Sequence, residues 1–344
     1  MLRKFGFSSL LFFSVFILLC FVSVSDVFAD YSQHPKAKNM IREMSAEHDY
    51  PAGQLAGYLR SASKKQSILD AISKPAERLS WERYSHIFLT QKRLQSGLAF
   101  VQQYKPALQK AAQMYGVDMY VIAAILGVET SYGQNKGSYQ VLDALATLAF
   151  DYPRRSSFFY KELKSFLLLV EQEQLDINQL KGSYAGAMGW PQFMPSSFIA
   201  YAVDFDQDGQ INIWDDPMDA IGSIAHYLAE HGWQTQQPVV LPAVSVTPVA
   251  DKAPSVINQS LKPKWSKTLL ADTYGIRIKK PFAHQVHAQT LLTPVQLDDA
   301  QGQAMELWLG LHNFYAIARY NPSRLYVMAV YQLSQALKTG RLPS

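Results

Sequence analysis

Apolar residues recur every three to four positions over much of the chain, which is the spacing of helices with one buried face. With many Lys, Gln, Ala and Leu residues, this spacing predicts helices across residues 36–112. Further helices are predicted over residues 139–149, 155–175, 216–232 and 323–338. Residues 234–310 instead carry seven prolines and short alternating segments, which indicate short strands and loops. We therefore expect a mainly α (α+β) fold, with a helical core interrupted by a small β-rich insertion.

Composition narrows the class of protein. The 344 residues are 48% hydrophobic and 17% charged, enough apolar material for a packed core, which excludes a disordered or fibrous chain. Lys and Arg number 32 against 28 Asp and Glu, and no long basic run accompanies the net charge of +4. This distribution does not indicate nucleic-acid binding. The single cysteine, Cys20, excludes an internal disulfide and a cysteine-based zinc site.

The first 29 residues have the pattern of a secretory signal peptide. Arg3 and Lys4 precede an uncharged apolar stretch, and Val27-Phe28-Ala29 offers small residues for cleavage after Ala29. An uncleaved membrane anchor is the alternative, because the apolar run is nearly long enough to span a bilayer. Cys20 does not indicate lipidation, because Leu19 stands before it where a small residue is needed.

One acidic residue is predicted on an apolar helix face. Asp118 is a candidate cap for a helix through Glu129, with Gly133 as its stop signal. Glu129 lies roughly 20° from Ile122 around such a helix, at about 100° per residue. Burial would raise the pKa of this carboxyl, as a general acid near neutral pH requires. The alternative is a structural glutamate near a helix end, held by backbone amides or an arginine.

Residues 182–197 crowd glycine, alanine, hydroxyls and one amide. Small residues let the backbone approach a ligand closely, and Gln192 could orient a polar group. The alternative is a glycine-rich loop that merely packs two helices.

An acidic segment matches the opening of an EF-hand loop. Asp204, Asp206 and Asp208 occupy loop positions 1, 3 and 5, Gly209 allows the sharp turn, and the backbone carbonyl of Gln210 is at position 7. Oxygen ligands of this kind suit a structural Ca²⁺. Position 12, usually a bidentate glutamate, is Asp215 here. A solvated acidic turn without metal is the alternative.

From Trp81 onward the sequence resembles the B-type lytic murein transglycosylases, glycoside hydrolase family 103. The motifs that carry the resemblance are Gly127-Val128-Glu129-Thr130, residues 150–155, residues 182–197, residues 204–214, and Asn313-Phe314-Tyr315 with Arg319-Tyr320-Asn321. The resemblance implies a lysozyme-like helical catalytic core and a helical N-terminal domain. It also implies cleavage of the β-1,4 bond between MurNAc and GlcNAc in peptidoglycan.

The resemblance assigns functions residue by residue. It implies that Glu129 is the sole catalytic carboxylate and that Asp219 closes a longer calcium loop, with Asp215 as the alternative. The residues that match substrate-binding positions are Ser183, Gln192, Tyr227, Tyr320, Asn321, Tyr326, Arg154, Arg155 and, most weakly, Tyr84. Each tyrosine could equally be an ordinary core or surface aromatic.

Four segments follow from these observations. They are a signal peptide (1–29), a helical N-terminal domain (30–95), a core (96–233 and 311–344, with the calcium loop at 204–219), and the insertion (234–310). Since the family's lipidated cysteine is missing, we expect a soluble periplasmic monomer, with glycan strands and possible cell-wall synthesis or recycling proteins as partners. No organic cofactor is expected.

One carboxylate suffices if the 2-acetamido group of MurNAc supplies the nucleophile, an exception to the usual pair of carboxylates. The expected product is then a 1,6-anhydroMurNAc end. The alternatives are a hydrolytic muramidase and a non-catalytic peptidoglycan-binding protein. A calcium sensor is disfavoured, because no second EF-hand pattern pairs with the first.

Overall fold

The computed structural model of the protein describes residues 30–73, 79–246 and 250–343. The predicted signal peptide lies outside the described residues. Within them the chain is mainly helical, with a two-stranded and a five-stranded sheet, so the predicted fold class is confirmed. The helices are α1 (Pro35–His48), α2 (Ala52–Ser61), α3 (Gln66–Ile72), α4 (Trp81–Phe88), α5 (Gln91–Gln103), α6 (Lys105–Tyr115), α7 (Met119–Thr130), α8 (Val141–Asp151), α9 (Ser156–Gln172), α10 (Pro195–Tyr201), α11 (Pro217–Glu230), α12 (Lys267–Tyr274), α13 (His312–Tyr320) and α14 (Arg324–Thr339).

The strands form two antiparallel sheets. They are β1 (Tyr139–Gln140), β2 (Lys181–Gly182), β3 (Val240–Ser245), β4 (Trp265–Ser266), β5 (Ile276–Ile278), β6 (Leu291–Asp298) and β7 (Ala304–Gly310). β1 pairs with β2, and the other five strands form one sheet in the order β4-β6-β7-β3-β5. This sheet lies inside residues 234–310, where the sequence places the insertion. The proposed domain boundaries stay predictions.

The sheet joins the helical core through one face. Val295 and Leu297 of β6 point into the same apolar cluster as α7 and α14, whereas Leu292 packs into a second cluster with Leu309 and Trp265. This division follows from the alternation of side chains along a strand. The insertion therefore has a small core of its own and also covers one side of the helical core.

Three helices were not predicted: α10, α12 and α13. Each has nine residues or fewer, so the apolar period repeats too few times to stand out. Helix α12 also lies in the proline-rich segment. It begins after Ser266, and the hydroxyl of Ser266 caps it by accepting a hydrogen bond from the backbone N–H of Leu269 (3.2 Å).

Candidate active site

Helix α7 carries Glu129 at the centre of the protein. Asp118 caps it by accepting a hydrogen bond from the backbone N–H of Tyr120 (2.8 Å), as predicted. The side chains from Val121 to Val128 are all buried, so the helix is enclosed on every face and not on one alone. The helix ends at Thr130, three residues before the predicted stop at Gly133. Glu129 consequently lies in the last turn, where a buried helix meets an irregular segment.

The segment after α7 has a left-handed backbone over three residues. Ser131, Tyr132 and Gly133 have φ values of 52°, 60° and 78°. Two of them are not glycine, and each such residue costs on the order of 1–2 kcal/mol. Packing compensates, because the buried Tyr132 ring stacks on Phe100 with centroids 5.3 Å apart. The turn therefore places Glu129 at a rigid helix end.

Arg93 of α5 contacts the same helix end. Its guanidinium Nη1 donates a hydrogen bond to the carbonyl of Gly127, two residues before Glu129. A positive charge at a helix C-terminus is favourable, because the last carbonyl groups carry partial negative charge. Arg93 is not recognisable from the sequence, since no local pattern connects it with a carbonyl 34 positions away.

Glu129 accepts a hydrogen bond from Tyr326 of α14. The hydroxyl of Tyr326 lies 2.6 Å from Glu129 Oε1. Burial raises the pKa of Glu129 to about 7, although the hydrogen bond from Tyr326 acts in the opposite direction. No other acidic or basic group contributes to this shift among the described residues. Both the neutral and the charged form of the carboxyl are therefore accessible near neutral pH, as general acid–base catalysis requires.

Two further predicted tyrosines surround the acid. Desolvation and, secondarily, the charge of Glu129 raise the pKa of Tyr84 to about 12, and the same two causes raise the pKa of Tyr320. The ring of Tyr320 stacks parallel to that of Tyr326, with centroids 6.4 Å apart. Tyr84, Tyr320 and Tyr326 come from three different helices, α4, α13 and α14.

Tyr227 lies one layer further from Glu129. Its ring packs edge-on against that of Tyr320 at 4.8 Å and stacks on His231 at 4.0 Å. Its hydroxyl donates to the backbone carbonyl of Arg319 (2.7 Å), and its side chain is buried. In this structure Tyr227 therefore supports Tyr320, and a direct contact with substrate stays a prediction.

The glycine-rich loop lies directly over the turn that follows Glu129. Thr130 Oγ1 donates a hydrogen bond to the carbonyl of Trp190 (3.2 Å), and the ring of Trp190 packs against Gly133 so closely that a Cβ there would overlap it. The backbone at Gly137 packs just as closely on Gly182 and Ser183. The small residues of this loop predict that a ligand can approach the backbone closely. They also allow these close contacts within the protein.

Ser183 and Gln192 have different environments within this loop. Ser183 Oγ accepts hydrogen bonds from the backbone N–H groups of Ala187 (3.1 Å) and Ala185 (3.3 Å), so its own hydroxyl proton is free to be donated. Gln192 Nε2 donates to the carbonyls of Gly189 (2.8 Å) and Lys136 (3.2 Å). Gln192 thus joins two loops, whether or not it also contacts substrate.

A cavity of about 690 Å³ opens beside Tyr320. The predicted residues Arg155 and Asn321 line it, together with residues 258–261 of the insertion. Arg154 is exposed and is not among the lining residues. The structure therefore brings Arg155, Tyr320 and Asn321 to one recess and leaves Arg154 outside it, and Tyr320 lies between this recess and Glu129.

The acidic loop folds around three carboxylates. One carboxylate oxygen from each of Asp204, Asp206 and Asp219 lies within 4.8 Å of the others. Asp204 also accepts hydrogen bonds from three backbone N–H groups of its own loop, including that of Gly209 (2.9 Å). Converging oxygens of this kind fit a hard cation such as Ca²⁺.

The two candidates for loop closure have different positions. Asp219 is buried at the start of α11 and accepts hydrogen bonds from the N–H groups of Phe205 and Asn212, both 2.7 Å. Asp215 is exposed and forms an ion pair with Lys136 (2.9 Å). Burial raises the pKa of Asp219, and the nearby carboxylates add to this rise. The geometry favours Asp219. Asp208 and Gln210 are exposed, and their contribution as ligands stays a prediction.

Among the described residues, no single helix is long and apolar enough to cross a membrane. Only α6 and α7 together, at a bend of 116°, reach that length and composition.

The geometry defines a half-buried glutamate beside tyrosines from three helices, within a lysozyme-like helical fold. Residues 32–335 match the family described as the transglycosylase SLT domain, so the chain belongs to that family. Membrane-bound lytic murein transglycosylase B of Escherichia coli is 41% identical over 330 residues, which cover 93% of this chain and 87% of the relative. The predicted B-type lytic transglycosylase family is thereby confirmed, and the chain is an enzyme of this class.

Solved structures agree with this assignment. Soluble lytic transglycosylase SltB1 from Pseudomonas aeruginosa is 46% identical with a TM-score of 0.81, over 89% of this chain and 99% of the other. Lytic transglycosylase Slt35 of Escherichia coli, solved in complex with calcium, is 42% identical with a TM-score of 0.80, over 91% and 96% of the two chains.

Proposed function

We propose that this protein cleaves the β-1,4 bond between MurNAc and GlcNAc of peptidoglycan and forms 1,6-anhydroMurNAc, with Glu129 as the only acid and base. One observation carries the proposal: the carboxyl of Glu129 has a pKa of about 7 and receives a hydrogen bond from Tyr326 at 2.6 Å. The name of the Escherichia coli relative, which refers to murein, supports the choice of polymer.

The first step needs the neutral form of Glu129. The carboxyl protonates the glycosidic oxygen while the carbonyl oxygen of the MurNAc 2-acetamido group attacks C1. The bond between C1 and the glycosidic oxygen breaks, GlcNAc leaves with a free 4-hydroxyl, and an oxazolinium forms on MurNAc. Proton transfer of this kind contributes about 10²- to 10⁴-fold to the rate.

The second step uses the carboxylate that remains. Glu129 accepts the proton of the MurNAc 6-hydroxyl, O6 attacks C1, and the bond from the acetamido oxygen to C1 breaks. The anhydro ring closes, Glu129 is neutral again, and no water is consumed. Because the same group donates and then accepts a proton, a pKa near neutrality serves both steps.

Among the described residues, no second carboxylate shifts the pKa of Glu129, which supports assistance by the substrate. A conventional retaining enzyme places two carboxyl groups about 5–5.5 Å apart. Such a neighbour would raise the pKa of Glu129 through its charge, yet among the described residues the pKa is shifted only by burial and by Tyr326. The nucleophile is therefore assigned to the acetamido group.

The substrate lies along the recess formed by Tyr84, Tyr320 and Tyr326. The ring faces of Tyr84 and Tyr320 serve as stacking surfaces for sugars, and the free hydroxyl proton of Ser183 is available to a sugar oxygen. Arg155 and Asn321 hold the part of the strand that enters the adjacent cavity. Three other residues act on the substrate less directly, through the loops and rings that they contact. They are Arg154, Gln192 and Tyr227.

Analysis of the digestion products tests the proposal. Purified sacculi are digested with the wild-type protein and with Glu129→Gln, and the muropeptides are analysed by mass spectrometry. We expect anhydroMurNAc ends from the wild type and none from the variant. The matched control is Glu230→Gln, an exposed glutamate of α11, which should behave as the wild type. Reducing MurNAc ends would identify a muramidase instead, and binding without cleavage would identify a non-catalytic binding protein.

We further propose that Ca²⁺ binds the carboxylates of Asp204, Asp206 and Asp219, with the side chain of Asp208 and the carbonyl of Gln210 completing the ligand set. The calcium complex of the Escherichia coli relative supports the identity of the ion. The ion would neutralise a crowded acidic loop and fix residues 204–219 next to the glycine-rich loop, since the N–H of Trp190 donates to the carbonyl of Ile213 (2.8 Å). Its contribution is structural.

We propose that the protein acts as a monomer in the bacterial periplasm, where its polymer substrate lies. The apolar sequence before Ala29 supports export.

A further inference from the structure

The cavity beside Tyr320 lies between the helical core and the insertion. One wall is built by the start of α9, a second by residues 320–324, and a third by residues 258–261 of the insertion. Tyr320 belongs to the second of these walls, and its ring also stacks on that of Tyr326. The hydroxyl of Tyr326 in turn donates a hydrogen bond to Glu129. Tyr320 therefore lies between the cavity and Glu129, which does not itself line the cavity.

The lining of this cavity has a one-sided charge. Arg155 and Arg324 line it, and none of the aspartates or glutamates in the described part of the chain does. Arg155 rests on the rings of Phe158 and Phe159, at 4.3 Å and 5.4 Å from their centroids. Neither arginine forms an ion pair with any residue that the structure describes. Two arginines thus line one recess, and no described carboxylate lining it balances their charge.

Arg324 is placed where a helix does not favour a cation. It is the first residue of α14, directly after the cap Ser323. The N-terminus of a helix has partial positive charge, so an arginine there is electrostatically unfavourable while an anion is favoured. In addition, its Nε is buried and has no hydrogen-bond partner among the described residues. No ion pair with a described residue compensates for this position, whereas an anion in the cavity beside the guanidinium would.

Polar side chains of the insertion that face the cavity are already engaged. Asn258 exchanges two hydrogen bonds with the backbone of Gln296, at 3.0 Å and 3.2 Å. Ser260 Oγ donates to the carbonyl of Lys262 (2.8 Å). The groups that remain for a ligand are therefore mainly the two guanidiniums, which match a carboxylate in planar, bidentate geometry.

We propose that this cavity binds a carboxylate of the substrate and that Arg324 is its main anchor, with Arg155 beside it. The inference rests on the proposed function and names the part of peptidoglycan that is recognised. A MurNAc residue that bears a peptide has its lactyl group in an amide, so the glycan itself is uncharged there. The available carboxylates belong to the stem peptide or, where the peptide has been removed, to the free lactyl group. Arg324 makes the enzyme selective for strands that carry such a carboxylate near the cleaved bond.

Three substrates separate the two sources of the carboxylate. They are glycan strands with stem peptides, the same strands after an amidase has removed the peptides, and peptide-free strands whose lactyl carboxylate is blocked as its methylamide. The wild type, Arg324→Gln, Arg324→Lys and the control Arg60→Gln are compared on each. Arg60 is exposed on α2, so its replacement removes the same charge far from the cavity.

If the cavity binds a stem-peptide carboxylate, Arg324→Gln raises KM roughly tenfold on peptide-bearing strands, because one charge-assisted hydrogen bond is lost. On both peptide-free substrates, KM then stays close to the wild-type value. For a lactyl carboxylate, the increase in KM occurs on the unblocked peptide-free strands and disappears on the blocked ones. In either case kcat changes little, Arg324→Lys restores part of the affinity, and Arg60→Gln has no selective effect.

An equal effect of Arg324→Gln on all three substrates, or no effect on any, overturns the proposal. Binding to the wild type gives a readout that does not depend on the folding of a variant: amidation of every carboxylate of a purified muropeptide should weaken its binding about tenfold. Unchanged binding also overturns the proposal. Failure of the proposed function is distinguishable, because the wild type would then release no anhydroMurNAc from any of the three substrates.

Discussion

The hydroxyl of Tyr326 lies 2.6 Å from Oε1 of Glu129, although 197 positions separate the two residues in the chain. The hydrogen bond stabilises the charged carboxylate and lowers its pKa, while burial raises the pKa more strongly. Together, burial and the hydrogen bond give Glu129 a pKa of about 7. Tyr326 therefore both positions the acid and keeps it able to release its proton.

Removal of this hydrogen bond should move the pH dependence of catalysis. In Tyr326→Phe the charged form of Glu129 loses its donor, so its pKa rises further. Because the first step needs neutral Glu129, the alkaline limb of kcat/KM should shift to higher pH. Rates measured on soluble glycan strands between pH 5 and 9 check this shift. Tyr331→Phe, on the same helix, is the control and should leave the limb in place; a limb that stays or moves to lower pH in Tyr326→Phe contradicts the assignment.

Glu129 should also lower the stability of the folded protein as pH rises. The pKa of Glu129 rises from its ordinary value of 4.5 to about 7 in the folded protein. Between these two pH values the folded state therefore binds more protons than the unfolded state. Folding free energy therefore becomes less favourable as pH increases through this window. Glu129→Gln cannot titrate and does not show this loss. From pH 5 to pH 8, its free energy of unfolding should therefore increase relative to that of the wild type by on the order of 2 kcal/mol.

Urea unfolding of the wild type and Glu129→Gln at the two pH values measures this difference. The control Glu230→Gln replaces an exposed glutamate and should show the same pH dependence as the wild type. A pH-independent difference between Glu129→Gln and the wild type would show that the carboxyl at position 129 is ionised at an ordinary pKa.

Calcium should stabilise the folded protein through Asp219. A ligand present at 100 times its Kd adds about 2.7 kcal/mol to the free energy of unfolding. We expect chelation to lower Tm and added Ca²⁺ to restore it. Asp219→Asn should abolish the response, whereas Asp215→Asn should retain it, because Asp215 pairs with Lys136. Scanning calorimetry with and without Ca²⁺ tests all three proteins; an identical response of the two variants would count against Asp219 as the closing ligand.

Arg93 should support catalysis without contact with the substrate. Arg93→Met removes a charge-assisted hydrogen bond to the carbonyl of Gly127 and should cost about 1.5–3 kcal/mol of stability. Because Glu129 follows two residues later, kcat should fall more than KM rises. Denaturant unfolding and steady-state kinetics measure the two effects. Arg83→Met, an exposed arginine of α4, should change neither quantity.

Local patterns predicted much of the fold. The long helices α7, α9, α11 and α14 repeat their apolar period often enough to be recognised, and their observed bounds lie within three residues of the predicted ones at most ends. The short helices α10, α12 and α13 do not. The end of α7 was placed at Gly133, since glycine is the usual stop, whereas Ser131 and Tyr132 already adopt the left-handed conformation. Tertiary packing of the Tyr132 ring stabilises that earlier end, and no local propensity reports it.

The sequence by itself determined the chemistry that the protein carries: a glutamate in a buried helix, a glycine-rich loop and the spaced aspartates of an acidic loop. These signals are local, since side chains that act together within a helix or turn lie only a few positions apart. Only the tertiary structure decided that Tyr326 donates a hydrogen bond to Glu129, and that Asp219 lies beside Asp204 while Asp215 pairs with Lys136. It also decided that Arg324 and Arg155 line the same cavity. Contacts between residues far apart in the chain depend on how whole helices pack, and periodicity along the sequence contains no record of that packing.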